Sequence, residues 1–206
     1  MIRPVNPMTH TDHQPGGHSG RHLELWEVVD QREVFAAPPW IYISRQRVRL
    51  PGGRVIDDYH YVRLTEFAVV FAETADGRVI VERQYKHGIG NVSLTLPAGM
   101  IEEHEDPLVA AQRELLEETG HAAENWHALG NYSVNSNYGC GRAHLFSARK
   151  ATRIADPKSG DLEEMEILLL TPTQLAQAAH NGEVCSLSSI AAIALATNPL
   201  WTDNME

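Results

Sequence analysis

Gly99–His121 reads GMIEEHEDPLVAAQRELLEETGH. Asp106 is a good N-cap and Pro107 suits the first position of a helix. Leu108, Ala111 and Leu115 recur at helical spacing, and Gly120 supplies a stop. Glu114 and Glu118 stand four apart and Glu117 stands three from Glu114, so all three share one stripe of that helix. Like charges at these spacings repel, and three carboxylates on one stripe ask for a cation. A hard divalent ion with oxygen ligands answers that request, Mg²⁺ first and Mn²⁺ as a substitute. Such an ion bridges phosphate oxygens, neutralises developing charge and orients a water nucleophile. Arg113 holds one of these carboxylates, or Glu105 across the preceding loop, in place.

Strands surround this helix. Upstream, Leu23–Val29 and Glu33–Ala36 read as short strands. Ile41–Leu50 alternates apolar and polar residues, Pro51-Gly52-Gly53 turns the chain, and Val55–Val62 returns it. Glu66–Thr74 and Arg78–Gln84 flank Ala75-Asp76-Gly77, a hairpin in which Gly supplies the positive φ. Val92–Leu96 is another strand. Downstream come strands at Trp126–Val134, Ala143–Ala148 and Met165–Leu170. Two helices follow, Thr173–Asn181, capped by Thr171 or Thr173, and Leu187–Thr197. This order predicts an α+β chain, a mixed α/β/α sandwich with an N-terminal β-rich subdomain. Residues 1–20, rich in Pro, Gly and His, read as a flexible tail. Residues 21–62 form the β subdomain and 63–206 form the main domain.

Composition narrows the class of protein. The chain has 206 residues, 43% of them hydrophobic, enough for one sizeable core. It carries 27 acids against 17 bases, a net charge of −10, which argues against nucleic acid as a partner. That surplus is concentrated: Gly99–His121 carries a net −6 and Asp161–Glu166 a net −4, leaving the remainder neutral. No apolar run is long enough to span a bilayer, and the N-terminus lacks the apolar core of a secretory signal. Two cysteines, Cys140 and Cys185, make neither a disulfide framework nor a metal knuckle. A cytoplasmic protein is expected.

The register of the quoted stretch resembles the Nudix box: Gly, five residues, Glu, seven residues, Arg-Glu, apolar, any, Glu-Glu, any, Gly, apolar. Gly99, Glu105, Arg113, Glu114, Leu115, Glu117, Glu118 and Gly120 all fall in place. His121 departs, standing where an apolar residue is usual. The resemblance implies a Nudix sandwich and hydrolysis of a nucleoside diphosphate linked to another moiety. It further implies Glu114 and Glu118 as leading metal ligands, Glu117 as a ligand or an outer neighbour, and the Ala98 carbonyl as a further ligand. Catalytic roles follow for Glu117, Glu118 and Arg113.

The flanking segments, Glu82-Arg83-Gln84-Tyr85-Lys86 and Leu96-Pro97-Ala98-Gly99-Met100-Ile101-Glu102, look like the ADP-ribose pyrophosphatase branch of that family. This implies a nucleoside diphosphate sugar cleaved to a nucleoside monophosphate and a sugar phosphate by a homodimer. Arg83 and Lys86 are then the diphosphate contacts, and Trp26 and Trp40 are candidates to stack on the base. Lys86 stands where the branch has Arg, so it meets phosphate as a point charge, not bidentately. The polar loop Ser133–Gly141 differs from the branch pattern, which points to a different leaving group. Asp161-Leu162-Glu163-Glu164 resembles the loop that delivers a late catalytic carboxylate. Glu163 is the first choice and Glu164 the second, as general base or as the group that orients water. Two other readings stay open: a non-catalytic regulatory domain that binds a nucleotide sugar, and a hydrolase of dinucleoside polyphosphates or damaged nucleotides.

Overall fold

The computed structural model describes residues 23–160 and 164–202. Among these residues ten strands and four α-helices run in the order β1 (Glu27–Ala37), β2 (Ile41–Arg49), β3 (Val55–Leu64), β4 (Phe67–Thr74), β5 (Val79–Lys86), β6 (Asn91–Thr95), β7 (Ala98–Met100), α1 (Pro107–Thr119), β8 (His121–Asn135), β9 (Gly139–Arg153), β10 (Met165–Leu170), α2 (Pro172–His180), α3 (Leu187–Thr197) and α4 (Pro199–Thr202). This is the mixed α+β class that the alternation of patterns predicts.

The strands form two wings. In the first, β9 pairs antiparallel with β8 along one side. Along its other side β9 runs parallel to β4, from Phe67↔Ala143 to Thr74↔Ala151, and touches β3 at Val62↔Gly139. The second wing is β10–β5–β6, all antiparallel. The wings meet at one registered pair, Glu73↔Val79. From there β4 turns toward β7 and β5 toward β6, so a wedge opens between them.

Helices close both faces. Ala68, Val70 and Ala72 of β4 face α1 with Ile80, Ala110, Ala111 and Leu115. The alternate residues Val69 and Phe71 face α2 and α3 with Val81, Leu94, Leu96, Leu175, Ala192 and Ile193. That is why β4 reads as an unbroken apolar run: it is buried on both faces beside a parallel partner.

Several elements differ from the expectations. The two short strands expected at Leu23–Val29 and Glu33–Ala36 are one strand, β1, carried across polar Asp30-Gln31-Arg32 by pairing with β2 and by two bulges. β8 starts at His121, not Trp126, because pairing with the long β9 draws Ala122–Asn125 into the ladder. β7 was not foreseen as a strand; three residues carry no period of their own. Thr171 is the cap of α2, in a reciprocal box with Gln174.

Candidate active site

α1 is built as its sequence predicts. The Asp106 side chain accepts from the amides of Leu108 and Val109, Pro107 opens the first turn, and Gly120 closes the last at φ +72° with its amide on Leu116 O. Gly120 is doubly constrained, because a Cβ there would stand 2.2 Å from Ala155 O. His121, just beyond, is buried, with Nδ1 2.8 Å from Thr119 O. Burial depresses its pKa, so the ring is a neutral packing group at the head of β8.

The stripe Glu114–Glu117–Glu118 is divided between two neighbourhoods. On one side, Arg113 grips Glu105 bidentately, Nε to Oε1 at 2.9 Å and Nη2 to Oε2 at 2.9 Å. The same guanidinium donates to Glu114 Oε1 at 2.6 Å, Glu117 Oε2 at 3.2 Å and Met100 O at 2.9 Å. Arg113 therefore holds Glu105 and two box carboxylates at once, and fixes the loop before the helix to the helix itself. The hydrogen bond from Arg113 keeps the Glu105 carboxyl well below its ordinary range, at about 2.

On the other side, Glu118 is 6% exposed and accepts from the Ala98 amide at 2.9 Å. Burial, and then the neighbouring Glu82 carboxylate, push its carboxyl up to about 10. Glu114 contributes to the same effect. Gly99 makes this approach possible: a Cβ at residue 99 would lie 2.0 Å from Cδ of Glu114. The glycine leaves the space that the carboxylate fills.

Sequence reasoning passed over Glu82. It is 1% exposed on β5, and Gln84 Nε2 donates to its Oε2 at 3.2 Å. The available signal was the period of two along β5: residues 80, 82, 84 and 86 share a face, and a Glu following Ile80 on that face is aimed at α1. Lys86 continues the same face and lines the wedge beside Glu82. Arg83 lies on the opposite face, exposed and paired with Glu166 at 3.0 Å.

The other candidates are spread widely. Trp26 is 51% exposed just before β1 and meets Tyr59 edge-on at 6.2 Å. Trp40 is 60% exposed in the turn after β1. An 11-residue strand separates them, about 35 Å, so the two rings of one chain do not meet at one base. Glu163 lies outside the described residues, as does the tail 1–20. Glu164 is described, next to the start of β10, whose first pair is Met165↔Gln84.

Among the described residues no three His, Cys, Asp or Glu side chains enclose a point ready for an ion. The physical reason is the division above: Arg113 holds Glu114 and Glu117, while Glu118 turns to Glu82 and Ala98. The donor chemistry nevertheless suits a hard cation. The oxygens of Glu82, Glu114 and Glu118 crowd together around Ala98-Gly99, and a buried carboxyl pushed that far up marks a cluster short of positive charge.

The comparisons with known proteins agree with this architecture. Residues 62–186 match the model of the NUDIX domain. The chain is 25% identical over 168 residues to the ADP-ribose pyrophosphatase of Bacillus subtilis (strain 168), covering 81% of this chain and 90% of that one. It is 32% identical over 172 residues to the ADP-sugar pyrophosphatase of Mus musculus, covering 76% of each. A solved structure described as an ADP compounds hydrolase has the same fold, with a TM-score of 0.75 at 17% identity, covering 91% of this chain and 100% of that one. The chain belongs to the Nudix family. It is a hydrolase of the pyrophosphatase kind.

Proposed function

We propose that this enzyme hydrolyses the diphosphate bond of a nucleoside diphosphate sugar, ADP-ribose or a related sugar nucleotide, to a nucleoside monophosphate and a sugar phosphate. The observation that carries the reading is the Glu114 carboxylate seated against Gly99 beside buried Glu118. Arg113 holds Glu114 there, while burial and the neighbouring Glu82 keep Glu118 protonated, so this carboxyl cluster is short of the positive charge that a bound cation would bring.

Glu114, Glu118 and the Ala98 carbonyl hold Mg²⁺ in this reading, with Mn²⁺ able to replace it and Glu117 beside them. The bound ion supplies charge to the diphosphate and acidity to a water. Arg113 positions Glu105, Glu114 and Glu117. Lys86, on the wedge face of β5, meets the diphosphate as a point charge. Arg83, on the opposite face, has its role at the diphosphate only if its pair with Glu166 opens. Glu163, two residues before β10, whose first pair is Met165↔Gln84, takes a proton from the attacking water or orients it in this reading.

The N-terminal segment 21–62 joins two copies into a homodimer, and Trp26 or Trp40 stacks on the base from one copy or the other. Residues 63–206 are the catalytic unit. No helix among the described residues is long and apolar enough to cross a membrane; we place the enzyme in the cytoplasm, with small-molecule substrates and neither nucleic acid nor membrane as partner.

The test is phosphate release through a coupled phosphatase, with Mg²⁺, across nucleotide sugars, dinucleoside polyphosphates and oxidised nucleotides. Turnover of the sugar nucleotides is expected. Turnover of the other compounds alone rejects the sugar assignment, and binding without turnover of any of them rejects the enzymatic one.

A further inference from the structure

The wedge between β4–β7 and β5–β6 contains a cavity of about 270 Å³ that continues from the carboxylates: Glu82 and Ala98 belong to its wall. Gln84 is part of the same wall. It is 3% exposed, and its Nε2 donates to Glu82 Oε2 and Thr95 Oγ1, each at 3.2 Å. Its Oε1 is buried with no partner among the described residues. A buried carbonyl oxygen in that condition is an acceptor awaiting a donor. Across the cavity stands the N-terminus of α3, an 11-residue helix whose cap residue Ser186 makes no side-chain cap bond. Ser186 and Ser188 share a hydroxyl–hydroxyl bond at 2.8 Å, and Ser189 Oγ accepts from the Leu96 amide at 3.3 Å. Lys86 adds a cation to the wall.

One buried acceptor, two adaptable hydroxyls, a helix N-terminus and a lysine describe a seat for a phosphorylated polyol. The volume falls below the roughly 300–1,000 Å³ of sites that enclose a whole drug-sized ligand, so it suits one part of the substrate and not the whole. We propose that this cavity seats the sugar-phosphate half of the substrate, with Gln84 Oε1 and Ser188 reading the sugar hydroxyls. The assignment rests on the nucleotide-sugar reading above, and it names α3 as a determinant of which sugar is accepted.

Two variants test it. Ser188→Leu fills the cavity from the helix, and Gln84→Met removes the acceptor at nearly constant volume. ADP-ribose and ADP-glucose are compared with the methyl ester of ADP, whose leaving group needs no sugar seat. In both variants KM for the sugar nucleotides is expected to rise about tenfold relative to KM for the methyl ester, as losing one or two hydrogen bonds implies. Ribose 5-phosphate titrated into wild-type protein should shift the Gln84 side-chain amide resonance, and Ser188→Leu should abolish that shift. Unchanged KM in both variants, or ribose 5-phosphate that leaves the Gln84 amide unmoved, overturns the cavity assignment alone. A wild-type enzyme that cleaves no sugar nucleotide overturns the reading beneath it.

Discussion

A carboxyl group enclosed by protein and facing a second carboxylate keeps its proton well past neutrality. Glu118 is in that position, with its carboxyl at about 10 through burial and then Glu82. Its folded-state value lies above the unfolded value of about 4.3. The stability it contributes is therefore fully present only below that unfolded value and is lost as pH rises toward 10. Metal-free protein should accordingly melt at progressively lower temperature from pH 6 to pH 9. Glu118→Gln should flatten that slope, since its amide does not titrate, and Mg²⁺ added to wild type should flatten it too. Thermal unfolding in chelator across that pH range checks the sign. In turnover the same variant should lose roughly 100-fold or more, because a metal site supplies several kcal/mol to the transition state. Wild-type rates in a folded Glu118→Gln refute the ligand assignment. The box residues were legible because a helix converts spacing directly into a shared face. Glu82 was not, because its role arises only when β5 is laid against α1, with Glu118 36 residues away in sequence, and the stretch 82–86 read alone does not separate the inward Glu82 from the outward Arg83.

At the scale of the element, β7 and α1 form one device. β7 is three residues long and pairs with β4 through Val69↔Ala98 and Ala68↔Gly99, and the Glu114 carboxylate rests on it. Gly99→Ala should therefore displace Glu114 by about an ångström or push β7 away from it. Misplacement of that size costs roughly 100-fold in rate. Steady-state kinetics with a Mn²⁺ titration should show weaker metal dependence together with lower kcat, and normal values for both would remove Gly99 from the device. α1 and β10 stood out in the sequence because caps, breakers and period all agree there. β7 and the first turn of β8 did not, because only their partners make them strands.

At the scale of the whole molecule, the outer strand of the β1–β2 hairpin is bare. β1 is an edge strand exposed almost throughout, with Val28, Val34 and Phe35 about half exposed. Such an edge normally meets another chain or is blunted by charge. If the hairpin joins two copies, Phe35→Glu should halve the sedimenting mass and leave metal-dependent unfolding of the catalytic layers intact. A wild-type monomer at micromolar concentration discards the dimer. The far end of the molecule has a different mechanical character. The two wings share one registered pair, Glu73↔Val79, braced by the Thr74 amide on Arg78 O at 2.8 Å and by the turn through Gly77. β5 runs away from that junction and carries Glu82, Gln84 and Lys86 with it. Gln84 lies about 17 Å along the strand from Val79, so a rotation of about 5° at the junction moves it by roughly 1.5 Å. A bend at that hairpin would change the aperture of the cleft, and the complete burial of Val79 opposes such a bend.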